Sequence, residues 1–110
     1  MKENKLKEKL INGHSVIGPF CKISSTSLVE ISALAGFDFV ILDMEHGPLS
    51  IESVQNLLNA AQSHGLQVVV RVRENSPTNI LQILDIGVQS IQVPQINNVL
   101  DAQKVVNSSY

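Results

Sequence analysis

The feature that most constrains the fold is an alternation of short apolar segments with segments of helical periodicity. Apolar segments occupy residues 16–23, 37–43, 67–72 and 90–94. Helical patterns follow them over residues 28–35, 50–63, 77–84 and from Asn98 onward. Successive apolar segments lie roughly 23 to 30 residues apart, which is the length of one strand–helix unit. The pattern predicts four βα units, preceded by a helix in the charged first ten residues.

The second, third and fourth apolar segments are nearly continuous and do not alternate with polar residues. Such segments are typical of strands buried on both faces, as in a parallel sheet covered by helices. A doubly wound α/β domain could close with four or five strands, whereas a (β/α)₈ barrel needs about 250 residues. Residues 105–110 end on an unfinished helical pattern. We therefore expect residues 1–110 to be one partial domain, the N-terminal half of a TIM barrel.

Composition excludes several classes of function. The formal net charge of −2 gives no attraction for nucleic acid or acidic lipid. Cys21 is the only cysteine, so no intrachain disulfide can form, and a reducing compartment is expected. No apolar run of about 18 residues is present. We expect a cytoplasmic protein that binds a small molecule, with no nucleic-acid or membrane partner.

The segment 42–48, Leu-Asp-Met-Glu-His-Gly-Pro, is the most informative for function. It places Asp43, Glu45 and His46 at the carboxyl end of the second strand. Active sites of parallel α/β folds form at that edge. The carboxylate of Asp43 could orient the imidazole of His46 and increase its basicity. The alternative is a solvated loop in which Asp43 is only a cap.

Arg71 is the second candidate, because a guanidinium in a buried strand is costly unless it is paired. Near the end of the third strand, it could bind a substrate carboxylate through two hydrogen bonds. It could equally form a structural ion pair with Asp43 or Glu45. Asp85, near the end of a helix, opposes the helix dipole and is a weaker candidate. His14 is expected at the surface, His64 at a helix C-terminus where the dipole favours it, and Cys21 in the core.

Four segments together resemble the HpcH/HpaI aldolases, namely residues 30–48, 68–72, 83–87 and 91–96. The resemblance implies a TIM barrel and a metal-dependent class II retro-aldol reaction. In that reaction a 4-hydroxy-2-oxo acid is cleaved to pyruvate and an aldehyde, and the complete enzyme is a homo-oligomer with a divalent metal (Mg, Mn or Co).

The same resemblance implies individual roles. His46 would be the general base, Asp43 its orienting partner, and Arg71 the residue that binds pyruvate and its enolate. Asp85 would lie near a subunit contact or support the site, and Glu45 has no assigned role. The family's metal ligands are expected beyond Tyr110, so this segment alone would hold no metal.

Three functional readings remain open from the sequence. In the first, the chain is a segment of a metal-dependent aldolase. In the second, it is a non-catalytic half-barrel that acts as an assembly module. In the third, it belongs to a citrate-lyase-like enzyme that acts on a thioester. The segment 45–48 favours the free oxo acid. The aldehyde half of the substrate is not specified by these residues.

Overall fold

The computed structural model describes residues 4–110, which form five α-helices and four β-strands in strict alternation after the first helix. In chain order they are α1 (Lys5–Ile11), β1 (Phe20–Cys21), α2 (Thr26–Leu34), β2 (Phe39–Asp43), α3 (Ile51–Ser63), β3 (Gln67–Arg71), α4 (Pro77–Asp85), β4 (Ser90–Gln92) and α5 (Val99–Ser108). The predicted order of elements is confirmed.

The four strands form one parallel sheet in the order β1-β2-β3-β4. The first strand is shorter than the predicted 16–23, because only Phe20 and Cys21 are assigned to it. Ile17 and Pro19 still accept hydrogen bonds from the N–H groups of Asp38 and Ile41. Pro19 has no N–H with which to continue the ladder, so the regular strand begins after it.

The two faces of the sheet differ in burial, which departs from the expectation of full burial on both. Val40 and Leu42 of β2 pair with Val68 and Val70 of β3, and all four are buried in the main apolar cluster. Ile41 and Val69, which lie between these residues along β2 and β3, point to the opposite face and are only half-buried. The face that carries Asp43 and Arg71 is therefore the less buried one along these strands, although Asp43 itself is fully buried.

Serine residues cap the helices that leave the carboxyl edge of the sheet. Ser25, Ser50 and Ser76 each accept a hydrogen bond from the N–H three residues ahead. Such caps satisfy an otherwise unpaired donor in the first turn and stabilise a helix by about 1 kcal/mol. They fix where each βα loop ends, and so they limit the loops that carry the site to a few residues.

The first helix lies at the opposite, amino-terminal edge of the sheet. The Lys9 Nζ atom is 2.6 Å from the Asp38 carboxylate, which also accepts the Ile17 N–H. These contacts, with the Lys9 hydrogen bond first, lower the pKa of Asp38. The helix predicted ahead of the first strand is thus tied to the start of β2. No helix within residues 4–110 has the length and apolar character needed to cross a bilayer.

Candidate active site

An ion pair between two neighbouring strands is the centre of the candidate site. Asp43 and Arg71 are the last residues of β2 and β3 and are partners in the parallel register. Arg71 donates from Nε to Asp43 Oδ1 at 3.1 Å and from Nη2 to Oδ2 at 2.6 Å. The Asp43 side chain is fully buried and that of Arg71 is 18% exposed. The parallel strands and their register place the two charges side by side.

The carboxylate of Asp43 also holds the loop that follows it. Its Oδ1 atom accepts the backbone N–H groups of Glu45 at 2.9 Å and His46 at 3.2 Å. Chiefly through the hydrogen bonds from Arg71, the pKa of Asp43 is lowered to about 2, although burial opposes the decrease. The same pair raises the pKa of Arg71. Both groups are therefore charged at neutral pH, and the loop is anchored to a fixed anion.

Glu45 lies between the other two functional side chains. Its Oε1 atom is 3.0 Å from His46 Nε2 and 3.5 Å from Arg71 Nε. The Glu45 side chain is 12% exposed, whereas that of His46 is 62% exposed. The contact to the imidazole that the sequence predicts for Asp43 is made here by Glu45, because Asp43 meets only the main-chain N–H of His46. Asp43 thus fixes the backbone of His46, and Glu45 contacts its ring.

Phe20 is a member of the site that the sequence analysis did not single out. The Arg71 Cζ atom is 4.9 Å from the centre of the Phe20 ring. A guanidinium at this distance from an aromatic ring is stabilised by a cation–π interaction. Phe20 is paired in register with Ile41, so it lies on the same face of the sheet as Asp43 and Arg71. Side-chain alternation along β1 is the signal that could have found it.

Gly47 allows the site loop to pass close to two strands. A Cβ atom at this position would lie 2.7 Å from the carbonyl oxygen of Asp43 and 2.9 Å from that of Lys22. Both contacts are with backbone atoms, which cannot move aside as a flexible side chain can. Only glycine fits without a shift of the loop, so Gly47 lets the loop that carries His46 pass close to the backbone of Asp43 and Lys22.

The remaining candidates lie elsewhere. Asp85 is exposed at the end of α4, on the side of the sheet where β4 begins, and it is remote in the fold from the carboxyl edge. Its role at a subunit contact stays a prediction. Cys21 is buried and donates to the Ile23 carbonyl, and burial raises the pKa of its thiol. His64 lies 3.8 Å from Glu30, a contact between α3 and α2.

The described residues do not fit a divalent metal. Within residues 4–110, no three or more His, Cys, Asp and Glu side chains are grouped in a way that could hold one. Both carboxylate oxygens of Asp43 are engaged by Arg71, and Oδ1 also accepts two backbone N–H groups. Glu45 is shared between Arg71 and His46. The cluster is arranged around a guanidinium, and we derive no chemical step through a metal.

Comparison with known proteins establishes the family. A sequence model of the HpcH/HpaI aldolase/citrate lyase family matches residues 17–110. The chain belongs to this family. It is 36% identical over 107 residues to a 4-hydroxy-2-oxo-heptane-1,7-dioate aldolase of Escherichia coli, which covers 97% of the chain and 41% of that protein. It is 40% identical over 103 residues to a pyruvate aldolase of Rhizobium etli, and this alignment covers 94% of the chain and 41% of that protein.

The structural comparison agrees with the sequence comparison. The crystal structure of an HpcH/HpaI aldolase from Desulfitobacterium hafniense superposes with a TM-score of 0.88 at 28% identity, covering 94% of this chain and 40% of that one. The resemblance predicted from the sequence, and the TIM-barrel fold predicted with it, are confirmed. This HpcH/HpaI chain spans about two fifths of the length of the relatives it matches.

Proposed function

We propose that this chain supplies the acid–base and oxo-acid-binding half of a carbon–carbon lyase, which cleaves a 4-hydroxy-2-oxo acid to pyruvate and an aldehyde. The observation that carries the proposal is the Asp43–Arg71 pair with His46 beside it at the carboxyl edge of a parallel sheet. Relatives named as aldolases of this substrate class support it.

The reaction needs a base and a site for negative charge. His46 takes the proton of the hydroxyl group on C4 of the substrate. The C3–C4 bond then breaks, so that C4 leaves as an aldehyde and the electron pair forms the enolate of pyruvate. The imidazolium of His46 then returns a proton to C3, which completes pyruvate, and no oxidant or reductant is involved. A positioned base contributes about 10² to 10⁴ to such a step.

Arg71 is the group that stabilises the negative charge of the developing enolate. Its Nε and Nη2 atoms are bound to Asp43, and among residues 4–110 no hydrogen bond engages Nη1. We assign Nη1 to the carboxylate or enolate oxygen of the substrate. The ion pair with Asp43 holds the guanidinium in one orientation, so little rearrangement is needed when the enolate forms. Phe20 restricts the guanidinium from a further side.

Metal dependence belongs to the proposal as an expectation from the family resemblance. A divalent Mg, Mn or Co ion would supply Lewis-acid stabilisation of the enolate when bound. The described residues offer no site for it, so its ligands would have to come from outside residues 4–110. The proposed partner remains a small 2-oxo acid, and the proposed complete protein is a cytoplasmic homo-oligomer.

A second candidate function, a non-catalytic assembly module, is favoured by the exposure of apolar side chains near both open edges of the sheet. Leu34 of α2 is 81% exposed, and Val99 and Leu100 of α5 are 80% and 77% exposed. β1 and β4 each have a strand neighbour on one side only. Open edges and apolar patches of this kind favour association with other chains.

One assay separates these functions. The protein expressed from its natural reading frame is incubated with a 4-hydroxy-2-oxo acid and, in parallel, with a malyl thioester, each with and without Mg²⁺, Mn²⁺ or Co²⁺. Metal-dependent release of pyruvate from the free acid supports the proposal. Cleavage of the thioester alone would favour the citrate-lyase-like alternative. Association without turnover of either compound would favour the assembly module.

A further inference from the structure

Glu45 contacts both groups that we assign to the reaction, His46 and Arg71. Its Oε1 atom lies 3.0 Å from the ring nitrogen Nε2 of His46 and 3.5 Å from Nε of Arg71. The Glu45 side chain is 12% exposed, so its carboxylate is shielded from bulk water more than that of a typical surface glutamate. It also sits next to the fixed anion, because its own N–H donates to Asp43 at 2.9 Å.

The contact with His46 favours one position of the imidazole proton. An ionised carboxylate has only acceptor lone pairs, so with Oε1 at 3.0 Å a hydrogen on Nε2 is electrostatically favoured over a lone pair, although the ring N–H is not aimed at the oxygen as in a hydrogen bond. In the neutral ring the second nitrogen, Nδ1, is then the one with the free lone pair. The His46 side chain is 62% exposed, which leaves the ring open to a substrate.

We infer that Glu45 is a positioning residue that keeps the proton of neutral His46 on Nε2, so that Nδ1 accepts the proton of the C4 hydroxyl. This inference rests on the proposed lyase function. The proton passes from the hydroxyl oxygen to Nδ1, giving the imidazolium, and Glu45 takes no part in this transfer. Its charge stabilises the imidazolium at 3.0 Å, and its contact with Arg71 sets the base and the guanidinium in one arrangement.

Ring-nitrogen NMR of the ¹⁵N-histidine-labelled chain tests this without any turnover. At about pH 9, where imidazoles are neutral, two-bond ring correlations report which nitrogen carries the proton. The exposed His14 is the internal reference for an unrestrained ring. A His46→Asn variant identifies the His46 signals. We expect His46 to hold its proton on Nε2 to a greater extent than His14, and Glu45→Ala to make the two patterns alike.

Two variants keep the test decisive. Glu45→Gln is matched in size and retains an oxygen acceptor, so it serves if Glu45→Ala does not fold, and it should show an intermediate pattern. If His46 and His14 show the same pattern in the unmodified chain, or if removal of the carboxylate leaves His46 unchanged, the inference is overturned.

A kinetic arm distinguishes this failure from failure of the proposed function. We expect Glu45→Ala to lower kcat for pyruvate release about tenfold to a hundredfold with little change in KM. In a chain that already carries His46→Asn, Glu45→Ala should lower kcat little further. Turnover with an unaffected ring proton would overturn the role of Glu45 alone. A carboxylate-dependent ring proton without turnover would contradict the lyase function alone.

Discussion

Arg71 binds both carboxylate oxygens of Asp43 across the boundary between two parallel strands, at 3.1 Å and 2.6 Å. The two residues are also register partners, so the sheet itself holds their backbones in place. The pair is therefore structural, and we propose that it also positions the groups of the reaction. Asp43 fixes the guanidinium and the loop that carries His46, and its two hydrogen bonds from Arg71 leave the Nη1 atom unengaged among residues 4–110.

Removal of the guanidinium should destabilise the fold. Arg71→Gln leaves the fully buried Asp43 carboxylate without its ion-pair partner. We expect a loss of about 2 to 4 kcal/mol in the free energy of unfolding, since removal of one member of a buried pair leaves an uncompensated charge. Urea unfolding measures the loss. Arg73→Gln changes an exposed arginine two residues away and should stay within about 0.5 kcal/mol. Equal losses in both variants would contradict the assignment.

The stability of the chain should fall in acid. Because the pKa of Asp43 is about 2 in the fold and 3.8 in its ordinary state, the unfolded chain binds the proton first as pH falls. The ion pair therefore stabilises the fold fully above about pH 4. As the pH drops to about 2, we expect the free energy of unfolding to decrease by roughly 2 kcal/mol. Urea unfolding between these values measures this slope.

Asp38 titrates in the same sense, because its pKa is also lowered. An Asp38→Asn variant separates the two groups. The pH dependence of the free energy of unfolding that remains in Asp38→Asn belongs to Asp43. It should largely disappear when Asp43→Asn is added to Asp38→Asn. A slope that vanishes with Asp38→Asn alone would contradict the assignment to Asp43.

Phe20 should stabilise Arg71 through its ring. Phe20→Leu keeps an apolar side chain at a half-exposed edge position but removes the cation–π contact at 4.9 Å. We expect a loss of about 0.5 to 1 kcal/mol beyond that of Phe37→Leu, a matched change with no cation–π partner among the described residues. Urea unfolding of the two variants gives the difference. A difference near zero would mean that the ring does not hold the guanidinium.

Gly47→Ala should displace the loop that carries His46. The added Cβ meets two carbonyl oxygens within 3 Å, so the loop must shift, at a cost of about 1 to 3 kcal/mol. Gly13→Ala is the control, because its Cβ meets open space and its cost comes only from the positive φ of 78°. NMR shifts of the His46 ring should change in the first variant and not in the second. An unchanged His46 in Gly47→Ala would contradict the steric argument.

The order of elements was predictable because apolar runs and serine caps are local signals. Ser50 and the 3.6-residue period of 50–63 give α3 to within one residue. The length of β1 was not predictable to the same degree, since it depends on whether Pro19 continues a ladder with β2. Likewise, strand order and burial on one face depend on tertiary packing.

The members of the site were predictable to a greater extent than their contacts. Asp43, Glu45, His46 and Arg71 follow from polar residues at strand ends. Which carboxylate meets the imidazole depends on the course of the seven-residue loop 44–50 between β2 and α3, and sequence adjacency does not fix it. Phe20 was missed because its partner Arg71 lies two strands away in the sheet.

The most direct test of the proposed function is deuterium uptake at C3 of pyruvate in D₂O, catalysed by the protein expressed from its natural reading frame with a divalent metal supplied. This exchange requires the enolate but no aldehyde. We predict an exchange rate well above that in buffer containing the same metal without protein. His46→Asn and Arg71→Lys should each reduce this rate about 10²-fold or more. Exchange no faster than in buffer, or undiminished in both variants, would contradict the assignment of this site.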